Sequence, residues 1–560
     1  MTRKAFHCLL LAIPCLVFAY LIISYSVNIP WLDDIEVFVD FLSAYEKVES
    51  LQEKVELLLK PNNEHRMFHG KLVNLLTARL GSRLSIETDI LISSLSVFGV
   101  LFLLLRNQLK LGWHILFLIP AALFLLQPQY HLTTLWAITS LQTQNVLFFG
   151  ILALWLLVRH QKAGFALGIG LLVYNSFTMS NGMFFFPVAA ILLLLLLQKR
   201  FKRFFVLLFT FGLTVCSYFY GFEITANSNG FAFFKQNPLL SVFGFFAHLG
   251  ASFDFTPTQS INIRLFICGI FGLLMFVVIL LWVLKGYSLK SNLFSFLQER
   301  FASKQRLFLL GVILFLFANA AIIAILRPQF GMYVLIVGNY RLYTSLILVC
   351  SYICLVDLLE IQPKSWLFKS LFVFSVLFWV LSFLVYLPEV IERRKDLLVR
   401  AYNQKNNGIG LGAYHGTFLE KYIAESFQNL PATTPYQFPI EDIFDENDLK
   451  KIGALSTEGL TTKLHRKVEN GNICLTNLSL KNEIGKNEGI FLVLKSASET
   501  YLYYQKRTFQ DFIRRQSFST CLIEGNFKPG TYHLFLLQKG NKQSKLYDTQ
   551  VKIDLNLKHP

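Results

Sequence analysis

Hydrophobic and polar positions divide the chain into long apolar runs, one charged interval near the start and a polar tail. A helix needs about 17–25 apolar residues to cross the hydrocarbon core of a bilayer. By that measure the runs predict helices near 7–27, 86–105, 113–130, 143–158, 163–178, 183–198, 204–220, 263–284, 307–326, 342–360 and 367–387. In the charged interval 28–83, Phe41, Leu42, Tyr45, Val48, Leu51, Val55, Leu58 and Leu59 recur every three or four residues among Asp40, Glu46, Lys47, Glu49, Glu53, Lys54 and Glu56. That spacing predicts an amphipathic helix on or near the membrane surface. Pro61 disfavours helical geometry at Lys60, Asn62 or Asn63 can cap a new helix, and Gly81 can close it. Glu64, His65 and Arg66 are thereby placed in a first helical turn, whose backbone amides would face a phosphate.

Beyond Pro388 the tail carries a basic stretch (Glu392-Arg-Arg-Lys), a glycine-rich turn (Gly408-Ile-Gly-Leu-Gly) and an amphipathic helix around 414–430. From Gly471 the hydrophobic period changes to two. Segments 472–479, 488–496, 499–505, 516–524, 531–538 and 545–554 read as strands separated by Asn, Gly and Lys turns. The expected organisation is a membrane domain over 1–387 with a first outer loop at 28–83, a linker with helices over 388–470, and a small antiparallel β-sandwich over 471–560. The fold class is mainly α, a polytopic helical bundle of about eleven spans carrying that sandwich.

Composition agrees with a membrane protein. Of 560 residues, 54% are hydrophobic and 56 are Phe, which leaves too little polar surface for several soluble cores. The excess of 52 Lys and Arg over 35 Asp and Glu, a net charge of +17, is first explained by basic cytoplasmic loops, and nucleic acid is not an expected partner. Basic clusters at Thr2-Arg3-Lys4, 106–110, 159–162, 199–203 and 285–306 fall at alternate ends of successive spans. This pattern places the N-terminus in the cytoplasm of a multi-pass protein of the cytoplasmic (inner) membrane, with 28–83 and 388–560 extracytoplasmic. Six cysteines lie in apolar segments as small hydrophobes, while Cys474 and Cys521 lie in the polar tail and could pair there if it is exported.

Candidate chemistry gathers at the outer ends of the spans. Asp33 and Asp34 follow a membrane exit held at the interface by Pro30 and Trp31, and either carboxylate could act as a base, ligate a metal or be solvated loop charge. Arg327 and Arg341 lie in an outer loop against the positive-inside tendency, so each calls for an anionic partner, a lipid phosphate or an acid of the first loop. Polar residues in 136–145 and 176–187 serve helix–helix hydrogen bonding as readily as substrate contact. No Walker loop, dinucleotide fingerprint, HExxH or GxSxG occurs, and no ladder of acids runs through the mid-helix positions.

Trp31-Leu-Asp33-Asp34, Asn63-Glu64-His65-Arg66, Ser176 to Gly182 and Asn339-Tyr340-Arg341 together resemble the GT-C superfamily of membrane glycosyltransferases, over roughly residues 7–390. The bacterial polytopic members with an acid after the first span and an "NEHR" element are the nearest in pattern, although Tyr precedes Arg in the last element. The resemblance implies transfer of a sugar from a polyprenyl-phosphate donor to an envelope glycan or lipid acceptor on the outer face, with inversion. Asp33 or Asp34 would take the acceptor proton, and Arg66, Arg327 or Arg341 would stabilise the lipid phosphate. Glu64 and His65 would orient these groups, or Asp34, Glu64 and His65 would hold a divalent cation; the metal is left open. Two other classes remain: a transporter or flippase for a lipid-linked saccharide, and a non-catalytic scaffold of an envelope polysaccharide complex.

Overall fold

The computed structural model describes residues 3–62, 65–159, 161–196, 201–222, 230–289, 291–469, 472–481, 485–504, 518–541 and 543–555. Two compact units divide the chain. The first comprises Met1–Ser24, Leu58–Leu72 and Ile90–Leu384, and the second Tyr25–Leu57, Val73–Asp89 and Val385–Pro560.

The first unit is helical. Among the described residues of the whole chain, nine helices are long and apolar enough to cross a membrane, from Ala5–Tyr25 to Trp366–Asn407. The expected spans at 163–178 and 183–198 form shorter helices, Lys162–Thr178 and Phe185–Leu195, the latter entered through a 3-10 turn at Ser180–Phe184. A further short apolar helix, Pro238–Leu249, lies between two expected spans. Ile115–Thr134 and Gly338–Leu358 are mostly buried within the protein, whereas Phe201–Phe219 exposes Phe205, Phe209 and Leu213. An exposed apolar face of that extent on a helix long enough to cross a bilayer suits a hydrocarbon surrounding. Glycines let the Pro238–Leu249 and Ile261–Leu284 segments meet backbone to backbone: a Cβ on Gly250 would stand 1.9 Å from the Cys268 carbonyl oxygen, and one on Gly272 would stand 1.8 Å from that of Phe246. Small residues permit this approach, the usual way in which membrane helices pack.

The 42-residue helix Trp366–Asn407 runs through Pro388, where sequence periodicity ends the span, and the division between units falls within it at Leu384 and Val385. Past this point its residues belong to the second unit. There the glycine-rich turn doubles back on it: a Cβ on Gly410 would lie 2.1 Å from the Arg400 carbonyl oxygen. The single amphipathic helix expected from Phe41 onward is two helices, Phe41–Lys47 and Leu51–Leu59, parted at Val48, whose backbone is extended. A π-helix at Ile35–Asp40 precedes them.

The C-terminal region is β-rich. One antiparallel sheet has three strands, with Asn472–Asn477 between His465–Glu469 and Phe518–Leu522; the other has four, ordered Thr500–Tyr503, Gly489–Lys495, Gly530–Lys539, Ser544–Leu555. Six of these strands fall on the segments whose alternation predicts them, and His465–Glu469 is an addition. Residues of both sheets, among them Leu475, Leu492, Leu494, Tyr501, Leu522 and Leu536, share one buried cluster. Cys474 and Cys521 stand opposite each other in register and are joined by a disulfide.

Candidate functional site

The paired acids sit in a turn of the second unit that their neighbours hold closed. The Tyr436 hydroxyl donates to the Asn28 carbonyl at 2.6 Å, and Asn28 Oδ1 accepts the Ile86 N–H at 2.8 Å. The Asp34 N–H returns to the Trp31 carbonyl at 3.2 Å, while Asp34 Oδ2 accepts the Trp31 N–H at 3.0 Å. Leu32, between them, has φ +52°, a left-handed conformation that a branched side chain adopts at a cost. Leu32 reaches into space that a Cβ on Gly412 would contest at 2.8 Å, and Gly412 itself has φ +105°, so glycine is needed there twice over.

This turn separates the two carboxylates. Asp34 is buried, and it faces the charge of Arg393, whose guanidinium lies 4.5 Å from the Trp31 ring centre. Asp33 is exposed. Neighbouring chain nevertheless displaces enough water to raise the Asp33 carboxyl above the ordinary carboxylate value, and the Glu36 charge raises it further. A solvent-accessible carboxylate with increased proton affinity has the properties of a general base, whereas a buried, hydrogen-bonded one has those of an anchor.

The first unit holds His65, Arg66, Arg327 and Arg341. His65 and Arg66 do not open a helix. They pair antiparallel with Pro61 and Asn62 (Pro61 with Arg66, Asn62 with His65), and the helix begins at Phe68, ending at Gly81 as its glycine suggests. Pro61 favours the extended geometry that seeds this ladder, so His65 and Arg66 stand in an antiparallel pairing and not in the first helical turn expected of them. Glu64 lies outside the described residues.

Arg66 is buried and tied to the main chain. Its Nε donates to the Tyr218 carbonyl at 2.7 Å, its terminal nitrogens donate to the Leu59 and Tyr220 carbonyls, and its own N–H donates to the Tyr218 hydroxyl. Burial lowers its guanidinium pKa, with Tyr218 opposing the shift. Such a side chain braces two separate backbone segments, at Leu59 and at Tyr218 to Tyr220, which is a different task from receiving a phosphate. Arg341 is also engaged: it is buried, donates to the Ile336 carbonyl at 2.8 Å and pairs with Asp254, which Arg264 grips at 2.9 and 2.6 Å. Its acid therefore comes from the segment between the Phe201–Phe219 and Ile261–Leu284 helices instead of from residues 28–83. Arg327 is half-buried at the end of Lys304–Leu326, and its guanidinium has no hydrogen-bond or ion-pair partner among the described residues.

Two of the sequence elements do meet. His65 Nδ1 and Ser180 Oγ share a hydrogen bond of 2.9 Å. Next to Ser180, the Asn181 amide donates to Asn319 Oδ1 at 3.0 Å and to the Tyr343 hydroxyl at 2.8 Å, joining the 176–187 segment to two long helices. A Cβ on Gly182 would lie 2.3 Å from the Asn175 carbonyl oxygen, which accounts for the glycine after Asn181. Periodicity does not reveal Asn319 or Tyr343 as members of this network. The available signal is Asn319 itself, an amide inside an apolar span, where a polar group requires a partner. Among the described residues, the one group of His, Cys, Asp and Glu close enough to hold a metal is Glu469 with Cys474 and Cys521, and its two sulfurs are joined to each other. The chain matches no protein-family model, no curated protein and no solved structure.

Proposed function

We propose that the protein is a membrane glycosyltransferase that moves a sugar from a polyprenyl-phosphate donor to a glycan or lipid acceptor on the extracytoplasmic face, with inversion. The observation that carries the reading is the exposed Asp33 carboxylate, raised in proton affinity and displayed by a turn that Asp34 fastens. Asp33 takes the acceptor hydroxyl proton as its oxygen attacks the anomeric carbon. Departure of the lipid phosphate calls for a cation, and Arg327 is the arginine of the three whose guanidinium is not already engaged.

The topology is supported by the second unit. Residues 25–57, 73–89 and 385–560 belong to one compact unit, which supports a reading in which they share one side of the membrane and an even number of crossings separates residue 89 from residue 385. Among the described residues, the eight long apolar helices after the first lie in that interval or enter it, an even number. Basic clusters assign the N-terminus to the cytoplasm, which puts loop and tail outside. The tail disulfide fits an oxidising compartment. We read the two sheets around their common core as a β-sandwich appendage without catalytic groups.

The test is mass spectrometry of lipid-linked sugars and envelope glycans from cells with and without the gene, followed by transfer assays on the purified protein in nanodiscs. Accumulation of a lipid-linked sugar and loss of one glycan linkage are expected. Unchanged glycans together with an unchanged donor pool would remove the enzyme reading.

A further inference from the structure

A cavity of about 340 Å³ opens on the side of the membrane-helix unit, at the ends of spans that sequence charge marks as basic. Its walls come from four segments, represented by Ile191, Leu280, Phe294, Phe301, Ile313 and Phe317. The lining is almost wholly apolar. Ile191, Leu280 and Phe294 are 43%, 42% and 49% exposed, so the cavity faces outward, where a membrane-spanning bundle meets lipid. An apolar cavity of this size does not hold water, and left empty it forfeits dispersion contacts along every wall.

Charge at its mouth says which lipid belongs there. The segment 285–306 contributes Phe294 and Phe301 to the wall and, among its described residues, carries Lys285, Arg300, Lys304 and Arg306 against the single acid Glu299. Lys285, Arg300 and Arg306 face Asp357 and Glu360, three cations against two anions. Lys304 is exposed and has no ion-pair partner among the described residues; it begins the same helix, Lys304–Leu326, that lines the cavity lower down with Ile313 and Phe317.

We propose that this is a binding site for an anionic membrane phospholipid: one hydrocarbon chain fills the cavity and the phosphate lies among the cations of segment 285–306. A zwitterionic lipid would fill the same space but would gain less from the surplus positive charge. The proposal does not depend on the glycosyltransferase reading.

The experiment uses the full chain purified in mild detergent, with bound lipid identified by native mass spectrometry. Melting temperature is then followed while phosphatidylglycerol or phosphatidylcholine of identical chains is added. Retention of one phosphatidylglycerol, and a larger stabilisation by it than by phosphatidylcholine, are expected. Leu280→Trp fills the cavity and should abolish retention of either lipid; Val283→Trp serves if the first variant elutes as an aggregate. Lys304→Glu, at an exposed position, should weaken phosphatidylglycerol about fivefold, the scale of one basic residue at a charged surface, and leave phosphatidylcholine unaffected. Equal retention of the two phospholipids, retention that survives both tryptophans, or recovery of a polyprenyl phosphate in place of a phospholipid would overturn the assignment.

Discussion

Asp34 Oδ2 accepts the backbone N–H of Trp31 at 3.0 Å, and this bond closes the turn on which Asp33 stands exposed. The two acids should therefore fail differently. Asp33→Asn is expected to lower turnover by roughly two to four orders of magnitude, the range for loss of a general base, with an unchanged melting temperature. Asp34→Asn should lose about 1–3 kcal/mol of stability, because a buried hydrogen-bonded carboxylate facing Arg393 is neutralised. Turnover and thermal unfolding of both variants in nanodiscs check this. A fully active Asp33→Asn enzyme would remove Asp33 as the base.

The acid limb of the rate profile follows from the same carboxyl. A base works ionised, so activity rises with pH through the Asp33 pKa, which partial desolvation by neighbouring chain and the Glu36 charge place above the ordinary value near 4. Glu36→Gln removes the second cause and should move the limb to lower pH without altering the plateau. A limb that stays where it was would separate the observed titration from Asp33.

Arg66 and Arg327 are expected to divide stability from binding. Arg66→Ala strands the carbonyls of Leu59, Tyr218 and Tyr220 and should destabilise the protein by about 2–4 kcal/mol. Arg327→Ala should leave the melting temperature alone and weaken polyprenyl-phosphate binding roughly tenfold, with Lys restoring part of the loss. Unchanged lipid-phosphate affinity in Arg327→Ala would return the phosphate role to another cation.

His69 makes stability depend on pH. It is buried among Phe149 and Tyr174 and shares a hydrogen bond of 2.6 Å with the Tyr174 hydroxyl; burial lowers its pKa to about 4, with Asn145 opposing. Between about pH 6.5 and 4 the unfolded chain takes up a proton that the folded chain refuses, so stability is full above that window and declines as pH falls through it, by up to ~3 kcal/mol. His69→Gln should flatten this part of the curve. Unfolding measured at pH 7.5, 5.5 and 4.5 decides it, since an equal slope in both proteins would assign the dependence elsewhere.

The shared side of the first loop and the tail is open to labelling. In a background without other reactive cysteines, single cysteines at the exposed positions Ser50 and Lys486 should react alike with an impermeant reagent, in permeabilised outer envelopes and with the inner membrane sealed. Reaction at one position alone would contradict their membership of one compact unit.

The membrane-helix composition, the change to period two in the tail and the pairing-competent Cys474 and Cys521 were all determined by the sequence. Helices and strands in a lipid or core setting are set by local periodicity, and local periodicity is written in neighbouring residues. The pairing of Pro61 and Asn62 with His65 and Arg66 was decided otherwise: capping residues and a proline fit a helix start as well as a ladder, and Tyr218, over 150 residues away, supplies part of what holds Arg66 there. The break at Val48 and the passage of Trp366–Asn407 through Pro388 belong with it, because packing overrides modest propensities. The difference between Asp33 and Asp34 was likewise invisible in adjacent identical residues. It exists because a turn with a left-handed Leu32, fitted over Gly412, points one carboxylate inward to Trp31 and Arg393 and leaves the other in solvent, and those partners come together only when the chain folds.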